Sequence, residues 1–381
     1  MSKVNLHDTV TINELRTLIP VIGTELTPIV QSEPGCGKTS LLSMISLDNG
    51  DQWRKVGDYF ESDKYDYIYV DCPVKDMADI GMTIPNHAVK SLEYYVSDLF
   101  MMKTGKPKII LLDEFMKAPK LLQVVFTRLM LERCVGDVPL PHGSIVFGTS
   151  NNASDGVGDS MLAHAGNRVC IMPMAKPTPN EWLKWATDAG LNPMLLAFVN
   201  NEPRVMESFI DYESGGKYEG KTLSKENGMI FNPKSTQLAY ASPRSLHAAS
   251  DILDACLGVV DEATLENALV GTVGAVTASA MASFVRFGQD ICEYSRVIAD
   301  PERAPLSDNP TAQLIQVFQF VTRASDRTEA EAIVKYVWRM RAEMQSIFCN
   351  TVASSQRASL FATISEFGRM LKEHKIFFSS I

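Results

Sequence analysis

Ser32-Glu-Pro-Gly-Cys-Gly-Lys-Thr39 is the stretch whose reading decides the fold. It follows a short apolar run, 28–30, and leads into a helical pattern over 39–46. A strand, a glycine-bearing loop and a helix start, in that order, make a cradle for phosphate. Backbone N–H groups converge there, and the helix dipole adds positive charge. Gly35 and Gly37 permit the backbone path, and Glu33, Pro34, Cys36 and Ser40 complete the loop and its exit. Lys38 is expected to reach the β- and γ-phosphates of ATP, and the Thr39 hydroxyl to ligate Mg²⁺. Ser32 stands where the pattern G-x-x-x-x-G-K-[ST] has its first glycine. It keeps the backbone N–H but narrows the freedom of the turn.

Seventy-five residues beyond Lys38 comes Asp113, at the end of Ile109-Ile-Leu-Leu-Asp-Glu114. Four aliphatics before two acids are a weak signal alone. After a phosphate loop, in this order, they place Asp113 near Mg²⁺ and Glu114 where it can orient or deprotonate the attacking water. Other strands are expected at 66–71, 108–112, 144–148 and 169–172, and helices from Thr11 to about Ile19 and over 121–131. Thr11 and Glu14 have the spacing of a capping box. Strands alternating with helices up to residue 175 predict a three-layer α/β unit with a mostly parallel sheet. From Thr178 onward the periodicity is helical, broken by a polar loop over 213–232. The expected division is a nucleotide-binding α/β domain at 1–175, a helical lid at 176–300 and a helical extension at 301–381. Ile333, Val337, Met340 and Met344, then Leu360, Ile364, Phe367 and Leu371, form apolar stripes that read as core.

Bulk properties narrow the function. The 381 residues carry a formal net charge of −9, with a pI near 5.3, which disfavours a surface that grips nucleic acid by charge alone. Seven cysteines without a C-x-x-C pair, and no signal peptide, fit free thiols in the cytoplasm. The six histidines lack paired-ligand spacing, so a structural zinc site is not expected. The uncharged run 268–285 is rich in Gly, Ala, Ser and Thr and is read as a tightly packed soluble helix rather than a membrane span.

Taken together, Ser32–Thr39, Ile109–Glu114, Thr149-Ser-Asn151, Asn167-Arg168 and Ser242-Pro-Arg244 resemble the AAA+ ATPases. The MoxR-like branch fits best, in particular members carried by bacteriophages and prophages. The resemblance is dense over 13–250 and looser beyond. It implies ATP hydrolysis by a homo-oligomeric ring, expected as a hexamer, with nucleotide bound between subunits. Asn151 would be the first sensor, with Asn152 competing for the role. Arg168 would be the arginine finger acting on the neighbour's ATP, with Arg128 and Arg133 as alternatives. Arg244 would be the second sensor, with Pro243 at the first helical position. Segment 75–86 would be an insertion facing the pore, and 134–143 a hairpin before the first-sensor strand. Neither contains the aromatic–glycine loop of threading unfoldases, which favours gentler remodelling of a protein partner; the resemblance implies, among such partners, a protein with a von Willebrand factor A-type domain. Two rivals stay open: a motor on nucleic acid, and an ATP-gated scaffold with little turnover.

Overall fold

Five parallel strands organise the N-terminal unit of the computed structural model, which describes residues 9–51, 63–152, 169–209, 217–218, 221–222, 227–288 and 290–376. They are β1 (Pro28–Ser32), β2 (Asp66–Asp71), β5 (Lys108–Asp113), β8 (Ile145–Asn151) and β9 (Cys170–Pro173), hydrogen-bonded in the order β2-β5-β8-β1-β9. Between them in sequence lie the antiparallel pairs β3 (Gly81–Asn86) with β4 (Ser91–Val96), and β6 (Cys134–Val135) with β7 (Val138–Pro139).

Side chains alternate across the sheet and build a core on each face. On one face Ile68, Val70, Ile110, Leu112 and Val146 pack with Leu122, Phe126, Leu129 and Met130 of α4 (Lys120–Glu132). On the other, Ile109, Leu111, Ile145 and Phe147 pack with Leu15 and Ile19 of α1 (Ile12–Ile22) and Leu41, Leu42 and Ile45 of α2 (Ser40–Asp48). The result is the expected three-layer parallel α/β arrangement. At the N-terminal ends of β2 and β5, in-register Asp66 and Lys108 form a buried ion pair, so Lys108 anchors the strand that otherwise reads as apolar. Gly148 lets β8 lie close to its neighbours, because a Cβ there would meet Ile29 Cδ1 at 2.8 Å.

Several boundaries shift. The Thr11–Glu14 capping box is present, but α1 continues to Ile22. Strand β8 runs on through Thr149 and Ser150 to Asn151. Segment 75–86, expected as an insertion facing the pore, holds the one-turn α3 (Met77–Ile80) and then the first strand of the β3–β4 hairpin. Short 3-10 turns at Asp98–Phe100 and Met102–Thr104 follow the hairpin.

The second compact unit runs from Pro177 to Ile381, the first ending at Lys176. Its helices are α5 (Pro179–Asp188), α6 (Pro193–Asn201), α7 (Pro243–Cys256), α8 (Glu262–Val273), α9 (Ala275–Phe287), α10 (Tyr294–Ala299), α11 (Pro310–Arg323), α12 (Arg327–Val337), α13 (Ala342–Ser354), α14 (Ala358–Ala362) and α15 (Ser365–Glu373). A two-stranded pair, β10 (Lys217–Tyr218) and β11 (Lys221–Thr222), falls within the segment read as a polar loop. One apolar core runs continuously from Trp182 to Leu371, so residue 300 does not separate two cores. The stripes at Ile333, Val337, Met340 and Met344, and at Ile364, Phe367 and Leu371, all lie in it; Leu360 packs against its edge.

The uncharged run 268–285 is two helices, not one. Gly274 divides α8 from α9 at φ +84°, and a Cβ there would meet Ala239 O at 2.5 Å. The close backbone approach and the left-handed conformation both require glycine. Among the described residues no helix is long and apolar enough to cross a membrane.

Candidate active site

The C-terminal ends of β1, β8 and β5 lie side by side, and each delivers polar side chains to one crevice. Such a crevice beyond the carboxyl ends of parallel strands is where open α/β sheets bind ligands. β1 ends in Ser32, in register with Asn151 of β8, and β5 ends in Asp113. From Ser32 the chain turns through Glu33, Pro34, Gly35, Cys36 and Gly37 into Lys38 and Thr39, the residue before α2. Gly35 and Gly37 have φ of +78° and +92°, the left-handed region that side chains disfavour. A Cβ on Gly37 would meet nothing nearer than 3.7 Å, so its backbone angle, not space, calls for glycine.

Lys38 is buried and folds back over the loop. Its Nζ donates to Ser32 O at 2.9 Å, Glu33 O at 3.0 Å, Ser32 Oγ at 3.1 Å and Asn151 Oδ1 at 3.1 Å. An ammonium has three protons, and four acceptors share them. The serine at the first-glycine position therefore has a role that glycine could not play: its hydroxyl is one of those acceptors. Asn151, not Asn152, is the asparagine beside the lysine, and it lies on the strand. Cys36 is buried in the loop, and burial pushes its thiol up to about 11, so it is a neutral filler rather than a reactive group.

Asp113 is 7% exposed and held by three hydroxyls. Thr39 Oγ1 donates to Oδ2 at 3.1 Å, Tyr69 OH donates to the same oxygen at 2.8 Å, and Thr149 Oγ1 donates to Oδ1. Thr39 precedes its helix without capping it; its hydroxyl goes to Asp113 instead. Thr149 also accepts from the Glu114 N–H at 3.1 Å, so one side chain ties the two acids to the middle strand. Glu114 sits at φ +50°, uncommon for a residue with a side chain and costly by about 1–3 kcal/mol. Its carboxylate is paired with Lys117, whose Nζ lies 2.9 Å from Oε2.

A hard-oxygen pair, the Thr39 hydroxyl and the Asp113 carboxylate, suits Mg²⁺, which binds through one or two protein oxygens plus phosphate and water. Lys38 and the left-handed loop suit the phosphates themselves. Among the described residues no group of three or more His, Cys, Asp and Glu side chains could hold a metal ion.

The expected arginines fall differently. Asn167 and Arg168 lie outside the described residues. Arg133 caps the end of α4 in the left-handed conformation and bonds to Gly23 O, Thr24 O, Thr27 Oγ1 and Met130 O. Arg128 is exposed and paired with Glu132 and Asp137. In the second unit Arg244 is exposed in the first turn of α7, after Pro243 at the first position and Ser242 as the cap. Tyr69, Lys117 and the double role of Thr149 escape a reading of motifs, because each acts across strands or a tight turn. The one available signal is the Tyr67–Tyr69 alternation of β2, which puts two phenols on the same face of the sheet.

No protein-family model and no curated protein matches the chain. Among solved structures, it is similar to a "putative ATPase" from Cytophaga hutchinsonii, at 14% identity over 95% of this chain and 80% of that one, with a TM-score of 0.32. NtrX from Brucella abortus, solved in complex with ATP, is 12% identical over 97% of this chain and 69% of that one, with a TM-score of 0.35. At such values neither likeness adds weight; the fold rests on the strand order, and the site on the geometry of Lys38, Thr39, Asp113 and Glu114.

Proposed function

We propose that this protein is an ATP-hydrolysing AAA+ enzyme of the MoxR-like type, working as a hexameric ring that remodels or assembles a protein partner. The observation that carries the ATPase reading is the convergence of Lys38 and Thr39 after β1, Asn151 of β8 and Asp113 of β5 at the ends of three parallel strands, with Glu114 next to Asp113. Bound MgATP would supply the phosphoryl group and the divalent charge that neutralises it. In the chain's own residues, Lys38 would exchange its loop carbonyls for phosphate oxygens, and Thr39 and Asp113 would hold the metal. Glu114 leaves Lys117 to orient a water and take its proton, and Asn151, beside Lys38, helps fix that water. Arg168 would serve the neighbouring subunit's site and Arg244 the γ-phosphate in cis. A cation in the first turn of a helix opposes the helix dipole. Among the described residues Arg244 has no carboxylate partner, which favours a functional role for it.

A protein partner is favoured over nucleic acid by the β3–β4 hairpin. Met82, Ile84, Val89, Leu92 and Tyr95 are all exposed there, beside a single lysine, Lys90. A hairpin tip of that composition offers apolar contact and almost no charge for phosphates. A partner with a von Willebrand factor A-type domain belongs to this proposal by family likeness alone.

The test is ATP turnover against protein concentration for the parent, Lys38→Ala, Glu114→Gln and Arg168→Ala. The expected result is turnover per chain that rises with concentration. Arg168→Ala should lower it about 10³-fold and suppress the parent when mixed with it. Glu114→Gln should bind ATP but hydrolyse it at least about a hundredfold more slowly, and Lys38→Ala should fail to bind. Turnover independent of concentration and of Arg168 would leave a self-sufficient ATPase. Tight binding with no turnover in the parent would leave the ATP-gated scaffold.

A further inference from the structure

Tyr69 belongs to none of the motifs that point to the site. It lies on β2, the strand at the edge of the sheet, in register with Leu111 of β5, two residues before Asp113. From there its hydroxyl reaches past the strand end to Asp113 Oδ2 at 2.8 Å, the oxygen that also accepts from Thr39. The other tyrosine on that face, Tyr67, spends its hydroxyl on Asp51 Oδ2 at 2.6 Å, away from the crevice.

A carboxylate oxygen offers two lone-pair directions. On Asp113 Oδ2 both are taken, one by the hydroxyl expected to touch the metal and one by Tyr69; Oδ1 accepts from Thr149 and, among the described residues, keeps its second direction for a cation or a water bound to it. With Thr149 on Oδ1, the carboxylate cannot rotate without breaking a bond to one of three separate chain segments. Partners of this kind orient a metal ligand, and their loss commonly costs 10–100-fold in metal affinity.

We propose that Tyr69 is a positioning residue for the divalent cation, holding the Asp113 carboxylate so that it and Thr39 present their oxygens to Mg²⁺ together. This rests on the nucleotide-site reading above and adds to it a residue outside the phosphate-loop and acidic motifs. The rival explanation is that the Tyr69 ring simply packs at the sheet edge. Tyr69→Phe separates the two, because it keeps the ring and removes only the donor.

The experiment is equilibrium binding of a fluorescent ATP analogue to the full chain, with and without EDTA and across a Mg²⁺ titration. Tyr69→Phe should raise the Mg²⁺ concentration for half-maximal tightening about tenfold and leave affinity in EDTA at the parental value. Mn²⁺ should show the same displacement. A parental Mg²⁺ curve would overturn the proposal while leaving the ATP site intact. Equal losses with and without metal would assign Tyr69 to packing and also overturn it. A lowered Mg²⁺ requirement would make Tyr69 a competitor of the metal, contrary to the proposal. If the parent chain bound no nucleotide under any condition, the ATP reading itself would fail, a result distinguishable from all three.

Discussion

The two units bury polar side chains for different ends. In the first, charged groups are buried at both ends of the sheet. At the lower end Asp66 and Lys108 neutralise each other, as buried charges ordinarily must. At the upper end Asp113 is just as deeply buried, yet its hydrogen-bond partners among the described residues are three hydroxyls, and no cation pairs with it. Lys38, also buried, is held by carbonyls, a hydroxyl and an amide. In the second unit the buried polar residues are chiefly neutral groups that finish local structure: Asn192 and Ser242 cap helices, and Gln313 bonds to Ser307 O. One ion pair and one unpaired acid at opposite ends of the same strand distinguish a fastening from a site. Among the described residues the helical unit's buried acid, Glu207, accepts from the Asn227 side-chain amide and gathers no such set of hydroxyls.

If that contrast is right, damage to the two units should be separable. The largest effect expected is from Phe348→Ala. Phe348 is fully buried and meets Phe361 and Phe367 edge-on, with ring centroids 5.6 and 5.9 Å away. Truncating it removes those contacts and leaves a cavity, at a cost of about 3–5 kcal/mol. Three of the four tryptophans, Trp182, Trp185 and Trp338, lie in the second unit, so in a Trp53→Phe background tryptophan fluorescence in urea should report an earlier midpoint. Affinity for the ATP analogue, measured without denaturant, should stay within about twofold of the parent. Affinity lost together with stability would break the contrast and make the helical core part of the site.

Thr149→Val should do the reverse. The variant keeps the shape but removes the donor to Asp113 and the acceptor of the Glu114 N–H. Leaving such groups unpaired costs about 1–3 kcal/mol each. We expect kcat to fall about 30-fold, within the range that one group positioned at a reacting centre commonly contributes. The fluorescence midpoint should be unchanged. Unchanged kcat would mean that Glu114 is held by its own backbone turn and does not depend on β8.

How far these differences can be read in advance follows from the range of the interactions. The sheet was legible because buried parallel strands are short apolar runs, as at 109–112, and the phosphate loop because its chemistry is consecutive in sequence. Lys38, Thr39, Asp113 and Glu114 could therefore be named by type and order. What could not be read was the cross-strand part: which hydroxyl meets which carboxylate depends on register, and Tyr69 meets Asp113 only because β2 lies beside β5. The β3–β4 hairpin was illegible for another reason. Met82, Thr83, Ile84 and Pro85 are all exposed, so no alternation of buried and exposed positions marks it as a strand. The break at Gly274 hides in a run of helix-compatible residues, since a positive φ leaves no periodic trace.

The smallest expected effect tests the finest feature of the loop. Ser32 supplies two of the four acceptors that the described residues place around Lys38 Nζ, its carbonyl and its hydroxyl, and only the hydroxyl depends on the side chain. Ser32→Gly would restore the usual first residue of the loop and leave three acceptors for three protons. Lys38 would then remain satisfied before nucleotide arrives but be held by one bond fewer. Affinity for the ATP analogue should tighten, by no more than about threefold, because the lost bond is one of several that share the same protons. The extra backbone freedom in the unfolded chain should lower stability by about 0.5–1 kcal/mol. A weakening of affinity instead would mean that the serine hydroxyl helps to bind the nucleotide, and that its contact with Lys38 is secondary.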